Sequence, residues 1–268
     1  GFDDALFAKA CVRLGHIGTA EAARAIIEAA LSDRVFSTEQ RTLLSGALVT
    51  IGESGLPILH AAIRKNPHPI LIDALAMIAH PASADMITEL LRSHPAPGLM
   101  HALGLAAPDR AIPLLEELLG AESYPLRLAV LDELEQRAPE RLRSRCIRLL
   151  DDTSAAIRQR AAGILLAAES SIDPLVALKA HAIAGGAYAI AQPDTPLIEA
   201  INSLMASPHP DIRMNTLRII SASSFPGREP VLRRSLSDSD ASLRLFALIV
   251  YGTLDEADPN AVIALLSD

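Results

Sequence analysis

The sequence predicts an all-α fold, a stack of about eight antiparallel helix pairs, and three observations predict it. The first is a sentence written twice between Asp194 and Leu254. One copy runs Thr195-Pro196-Leu197-Ile198, an apolar stretch to Leu204, a break at Ser207-Pro208-His209-Pro210, then Asp211-Ile212-Arg213. The other runs Glu229-Pro230-Val231-Leu232, a stretch to Leu236, a break at Ser237-Asp238-Ser239-Asp240, then Ser242-Leu243-Arg244. The second observation is the period. Arg213 and Arg244 stand 31 residues apart, and landmarks in the same register recur at intervals of 27 to 31 residues at Arg41, Ile72, Met100, Arg127, Arg158 and about Gly185. A fixed period of this size marks a stacked array. The third is composition: half the residues are hydrophobic, yet aromatics are 3% and Trp is absent. A core of Ala, Leu and Ile suits close helix packing, whereas strand-rich domains lean on β-branched and aromatic residues.

The elements follow in order. Phe2 to Leu14 reads as a helix, broken by Gly15 and Gly18. Thr19 stands where an N-cap is wanted for an Ala-rich helix over 20–31, and Ser37 with Gln40 has capping-box spacing ahead of 38–51. Leu56-Pro57 opens the next helix, Asn66-Pro67-His68-Pro69 turns the chain, and 70–79 returns. Further pairs are expected at 84–92 with 99–106, 110–119 with 124–136, and 139–150 with 155–167, with Pro113 in the first turn of its helix. Asp173-Pro174 opens a shortened pair whose second helix, over 180–188, carries Gly185-Gly186. The two clear copies follow, and Pro259 opens a last helix over 259–267. Residues 1–268 read as a single repeat domain, its two ends either cuts through a longer array or unorthodox caps.

Net charge is −8, and the acidic and basic residues are interspersed. Such a chain repels phosphate backbones overall, so nucleic acid is disfavoured as a partner. Cys11 and Cys146 lie far apart in a stack whose repeats touch only neighbours, which gives no disulfide framework and favours a cytoplasmic location. No uninterrupted apolar run reaches the length of a membrane span.

The segments Ile112-Pro113-Leu114-Leu115 with Leu126-Arg127, Leu149-Leu150-Asp151-Asp152 with Ile157-Arg158, and the two copies ending at Arg213 and Arg244 resemble HEAT repeats. The period is shorter than the ~40–47 residues of ordinary units. It resembles the short HEAT-like repeats also found in phycobilin lyases. The resemblance covers nearly the whole chain. It implies a right-handed α–α superhelix, a solenoid whose second helices line the concave surface.

Two readings fit the Arg series Arg127, Arg158, Arg213 and Arg244: a basic ladder for a ligand, or forks that cap acidic turn residues such as Asp151, Asp152, Asp238 and Asp240. The repeat period favours the second. Arg137, Arg141, Arg143, Arg145 and Arg148 crowd one region, but Glu122, Asp132, Glu133, Glu135 and Glu140 lie close enough for ion pairs on helix surfaces. His68, His94 and His209 each precede Pro in a turn, and no metal-type His or Cys spacing occurs. No nucleophile motif or phosphate-binding glycine loop stands where catalysis needs it, so neither catalytic residues nor a cofactor are expected. Leu243 to Tyr251 is apolar nearly all round, which calls for cover on every side.

These observations favour a non-enzymatic scaffold or adaptor that binds another protein or domain along its concave face. The candidate positions are Asp73, His101, Asp132, Arg160, Asn215 and Arg218. Leu245, Phe246, Ile249 and Val250 form a candidate terminal interface, suited to self-association through the C-terminal end. A HEAT-like DNA glycosylase is the alternative; it needs a basic groove and aromatics, against an acidic chain whose tyrosines are Tyr124, Tyr188 and Tyr251. A bilin lyase-type protein is a third reading, on the repeat resemblance alone.

Overall fold

The computed structural model describes residues 2–168, 172–190, 194–223, 227–254 and 260. Among these residues the ordered elements are all helical and none is a strand. The chain forms two compact units, Gly1–Pro139 and Glu140–Asp268. Apart from Asn260, the helix expected over 259–267 lies outside the described residues.

The first unit holds α1 (Phe2–Ile17), α2 (Ala20–Ala30), α3 (Thr38–Ile51), α4 (Leu56–Lys65), α5 (Pro69–Ile78), α6 (Ala84–Ser93), α7 (Pro97–Ala106), α8 (Pro108–Leu118) and α9 (Tyr124–Arg137). Each odd-numbered helix packs on the next odd one, from α1 to α9, and each even helix pairs with the odd helix that follows it. The caps form as the sequence indicates. Thr19 accepts from the Ala22 N–H at 3.3 Å, and Ser37 and Gln40 complete a reciprocal capping box. The core is aliphatic: Leu71, Leu75, Met100, Leu103, Leu115, Val130 and Leu131 are fully buried.

Two glycine and proline expectations are corrected. Gly15 does not break α1, which runs on to Ile17. It is buried against α3, where an added Cβ would lie 3.2 Å from the Thr50 Cβ and 3.3 Å from the Ala47 carbonyl oxygen. The missing side chain thus brings two helix backbones together, and the break falls at Gly18, whose φ is +67°. Pro113 is not in a first turn, because α8 starts earlier, at Pro108. In the second turn it denies the Asp109 carbonyl its helical donor.

The second unit continues from α10 (Pro139–Leu149) through α11 (Ala155–Leu166), α12 (Pro174–Ala184), α13 (Thr195–Met205), α14 (Pro210–Ser221) and α15 (Arg228–Ser235) to α16 (Ala241–Tyr251). Here α14 packs on α12 and α16, and α13 and α15 pair with the helices that follow them. The shortened repeat differs from expectation. One helix, α12, packs on both α11 and α14, and no helix spans 180–188. Gly185 terminates α12 in a left-handed conformation (φ +76°), and the chain beyond it is irregular to Ile190. Asp173, Asp194 and Asp240 cap α12, α13 and α16 through their carboxylates.

By length and composition alone, Thr38–Lys65 is one helical stretch apolar enough to cross a membrane. It is divided at Gly52 (φ +66°) into α3 and α4, joined by a 3-10 turn at Gly52–Gly55. Both halves carry core residues: Leu44 and Leu48 on α3, Leu59 and Ile63 on α4. No clear membrane span is present among the described residues.

Candidate functional site

The Arg series is built into the turns. Arg127 Nη1 donates to the carbonyls of Ala121 and Glu122 at 2.7 and 3.0 Å. Arg158 Nη1 does the same to Asp152 and Thr153 at 2.9 and 3.1 Å, and Arg244 Nη1 donates to Asp238 at 2.9 Å. Arg213 Nη1 reaches the Ser207 carbonyl at 2.8 Å. Each guanidinium therefore ties its helix to the turn five or six residues before it. The acceptors are mainly backbone carbonyls rather than the expected carboxylates. Arg213 makes a carboxylate fork as well, with Nε and Nη2 on Asp238 at 2.9 and 2.7 Å. That pair is nearly closed to solvent, with side chains 9% and 12% exposed. The Arg213 fork holds the Asp238 carboxyl below its ordinary range, and Asp238 raises Arg213 in return.

With the Arg series fixed as scaffold, it serves as a register mark for what faces outward. At three residues past the mark, seven of the eight repeats bury a side chain: Leu44, Leu75, Leu103, Val130, Ala161, Thr216 and Ala247, the exception being Tyr188 beyond the end of α12. One and five residues past the mark, side chains reach solvent on each of those seven helices. In the first unit they are Thr42 and Gly46, Asp73 and Met77, His101 and Leu105, Leu128 and Asp132. In the second they are Gln159 and Gly163, Met214 and Arg218, Leu245 and Ile249. Gly46, Leu128 and Met214 are half-buried, and the others are exposed. A helix turns 100° per residue, so these two positions lie 40° apart and both point away from the buried third position. The result is a narrow outward stripe on each helix.

Asp73, His101, Asp132 and Arg218 lie on this stripe. Arg160 and Asn215 stand one residue further round and are half-buried. Asn215 Nδ2 donates to the Ala182 carbonyl of α12 at 2.9 Å, so it staples two helices. Leu245 and Ile249 are 59% and 61% exposed, and they occupy the same register as His101 and Leu105. They belong to the outward stripe, with Phe246 and Val250 half-buried at its flank. Helix α16 is thus open on one side, with Leu243, Ala247 and Tyr251 buried on the other.

One polar cluster supports the stripe in the first unit, between α7 and α9. Glu133 is buried and accepts from His101 Nδ1 at 2.9 Å and from Arg137 Nε at 3.0 Å. A carboxylate only accepts, so the bond to Glu133 requires a proton on His101 Nδ1. Arg137 Nη2 also donates to the His101 carbonyl at 3.2 Å. Gly104 makes this possible: a Cβ there would overlap the Arg137 guanidinium. The sequence marks Gly104 only as a residue of low helix propensity, and its role depends on a partner 33 positions away.

The remaining candidates serve the scaffold. Arg143 pairs with Glu140 at 3.0 Å on α10, as surface ion pairs do. His68 caps α5 by accepting from the Ile70 N–H, and His94 ends α6. Of the tyrosines, Tyr251 is fully buried and donates to Glu229 at 3.3 Å, whereas Tyr124 is 52% exposed. Among the described residues, no three His, Cys, Asp or Glu side chains group as metal ligands would. Two shallow pockets occur, one of about 150 Å³ between α4 and α6 beside Arg64, Met86 and His94, and one of about 180 Å³ between α13 and α15 beside Asn202, Val231 and Arg234. Both fall below the ~300 Å³ at which ligand pockets begin. The sequence matches no protein-family model and no curated protein.

Proposed function

We propose that this chain is a non-enzymatic protein-binding module, a right-handed helical-repeat superhelix of the HEAT-like kind whose second helices present the contact surface. One observation carries this reading. At the same two register positions, helix after helix leaves its side chains in water while the third position is core. Stability alone requires only that surface positions be tolerated. Here the stripe mixes charge (Asp73, Asp132, Arg218) with exposed Met77, Leu105, Leu245 and Ile249. Contact surfaces combine apolar anchors with polar groups in this way.

The test is affinity capture followed by identification of the retained protein. Stripe variants (His101→Lys with Leu105→Lys, and Arg218→Glu with Ile249→Lys) are compared with Glu28→Lys on exposed α2. The stripe variants lose the captured protein and Glu28→Lys keeps it. Capture that survives both stripe variants overturns the proposal.

A further inference from the structure

A 3-10 turn at Pro81–Ser83 leads directly into α6, and two histidines bond to it. His80 precedes the turn and accepts from the Ala82 N–H through Nδ1 at 3.2 Å. An imidazole nitrogen accepts only while it carries no proton, so this bond belongs to the neutral ring. His60 reaches the turn from α4: its Nε2 lies 2.9 Å from the Ser83 hydroxyl oxygen. Ser83 is fully buried, and a buried hydroxyl needs such a partner.

The surroundings of His60 oppose a charge. Burial acts most strongly, followed by Arg64, one turn along α4, and by His80 on the facing turn. Together they hold the His60 imidazole below its ordinary range. Of the elements packed on α4, α2 carries Glu21, Arg24 and Glu28 and α5 carries Asp73, all exposed, with His68 at the α5 N-cap. Glu53, in the turn between α3 and α4, lies 3.9 Å from His80 Nε2. Against the Pro81–Ser83 turn pack α6, with Asp85 paired to Arg110 and with Glu89 and Arg92 exposed, and α7, with His101 paired to Glu133. A proton added to His80 turns Nδ1 from acceptor to donor and breaks the bond to Ala82. It also puts a positive charge at the start of a helical segment, where the backbone dipoles are already positive.

We infer that Pro81–Ser83 is a proton-sensitive joint: neutral His60 and His80 fasten it between α4 and α6, and protonation of the pair loosens it while the rest of the chain stays folded. Local opening of one segment below the cost of global unfolding is an ordinary property of proteins, and histidine clusters bias it with pH. The inference stands apart from the protein-binding reading, since it concerns the chain alone. Its sign follows from His60. The stabilisation by the neutral ring is complete above the unfolded value, about 6.5, and is lost as pH falls from there through the lowered native value.

The test is native-state hydrogen exchange on the full chain at about pH 7.5 and about pH 5.5, either side of the ordinary histidine range, with intrinsic exchange rates divided out. At the lower pH the amides from Ala82 to Leu91 lose protection severalfold. Those of α15 and α16, which carry no histidine, keep theirs. His60→Gln with His80→Asn retains polar side chains for Ser83 and Ala82 but takes up no proton, and it abolishes the response. His94→Gln, at an exposed histidine outside the cluster, leaves the response in place. Melts at the higher pH show that each variant is folded. Should the double variant fail to fold, the imidazole ¹⁵N shifts of the wild type decide: His60 stays neutral at a pH where histidine in a short peptide is already charged. The inference is overturned if the joint responds no more than α15 and α16, if the double variant responds like the wild type, or if His60 takes its proton where the peptide does.

Discussion

At the scale of single residues, one type of side chain does different amounts of work in successive repeats, and burial decides how much. Arg244 is half-buried and bonds turn carbonyls, so Arg244→Ala costs about 1 kcal/mol, the usual net value of an exchanged hydrogen bond. Arg213 is buried and holds a half-buried carboxylate as well as a carbonyl. Arg213→Ala leaves that carboxylate without its fork, and losing hydrogen bonds to a charged group costs about 1.5–3 kcal/mol. Acid acts on the same pair. The native carboxyl of Asp238 is held below its unfolded value by the Arg213 fork. Its contribution is therefore complete above the ordinary Asp range and is lost as pH falls through the lowered native value. Urea titrations should show the wild type losing stability steeply below about pH 4 and Asp238→Asn, already weaker at pH 7, losing less over the same interval. Parallel acid limbs for the two proteins would show that the fork contributes nothing.

At the scale of helices, two glycines show why propensity misleads. Gly15 and Gly104 both lie inside helices, where Gly is about 1 kcal/mol worse than Ala. Each is retained against a neighbour: Gly15 against the backbone and Thr50 of α3, Gly104 beneath the Arg137 guanidinium. Backbone cannot withdraw, but a guanidinium can. In the wild type, Gly104→Ala gains that propensity of ~1 kcal/mol and displaces Arg137 from the buried Glu133, which costs about 1–3 kcal/mol, for a net loss. In an Arg137→Ala background the same substitution displaces nothing and stabilises by about 0.8–1 kcal/mol. A double-mutant cycle by chemical denaturation reads this change of sign; a Gly104→Ala effect of the same sign in both backgrounds refutes the account. Caps were legible at this scale, because Thr19 and Ser37 act on N–H groups three residues away. The single helix α12 was not. Its motif starts as a first helix should, and only packing on both α11 and α14 shows that it stands in line with the second helices.

At the scale of the whole molecule, the period was legible and the outward face was legible in part. The Arg marks give phase along the chain, and Asp73, His101, Asp132 and Arg218 followed from that phase. Which offset faces water depends on where the neighbouring helices sit, and Asn215 is half-buried because it binds the carbonyl of Ala182. Leu245 and Ile249, the candidate terminal interface, are exposed in the same register as His101 and Leu105. The register makes a prediction about stability that is independent of any partner. Met77, Leu105, Leu245 and Ile249 are large and apolar, yet each stands on the outward stripe, more than half exposed. Changing all four to Lys alters only surface, and ordinary surface changes stay within about 0.5 kcal/mol each. The fourfold variant should therefore melt within a few degrees of the wild type. Leu103→Lys lies two residues before Leu105, on the opposite face, and is fully buried. It places an unpaired charge in the core at a cost comparable with the ~5–15 kcal/mol that holds a domain together. Calorimetry should show that one buried lysine abolishes the transition that four outward lysines leave in place. A fourfold variant that unfolds would mean that these side chains pack against the protein itself, and the outward stripe would no longer be available to a partner.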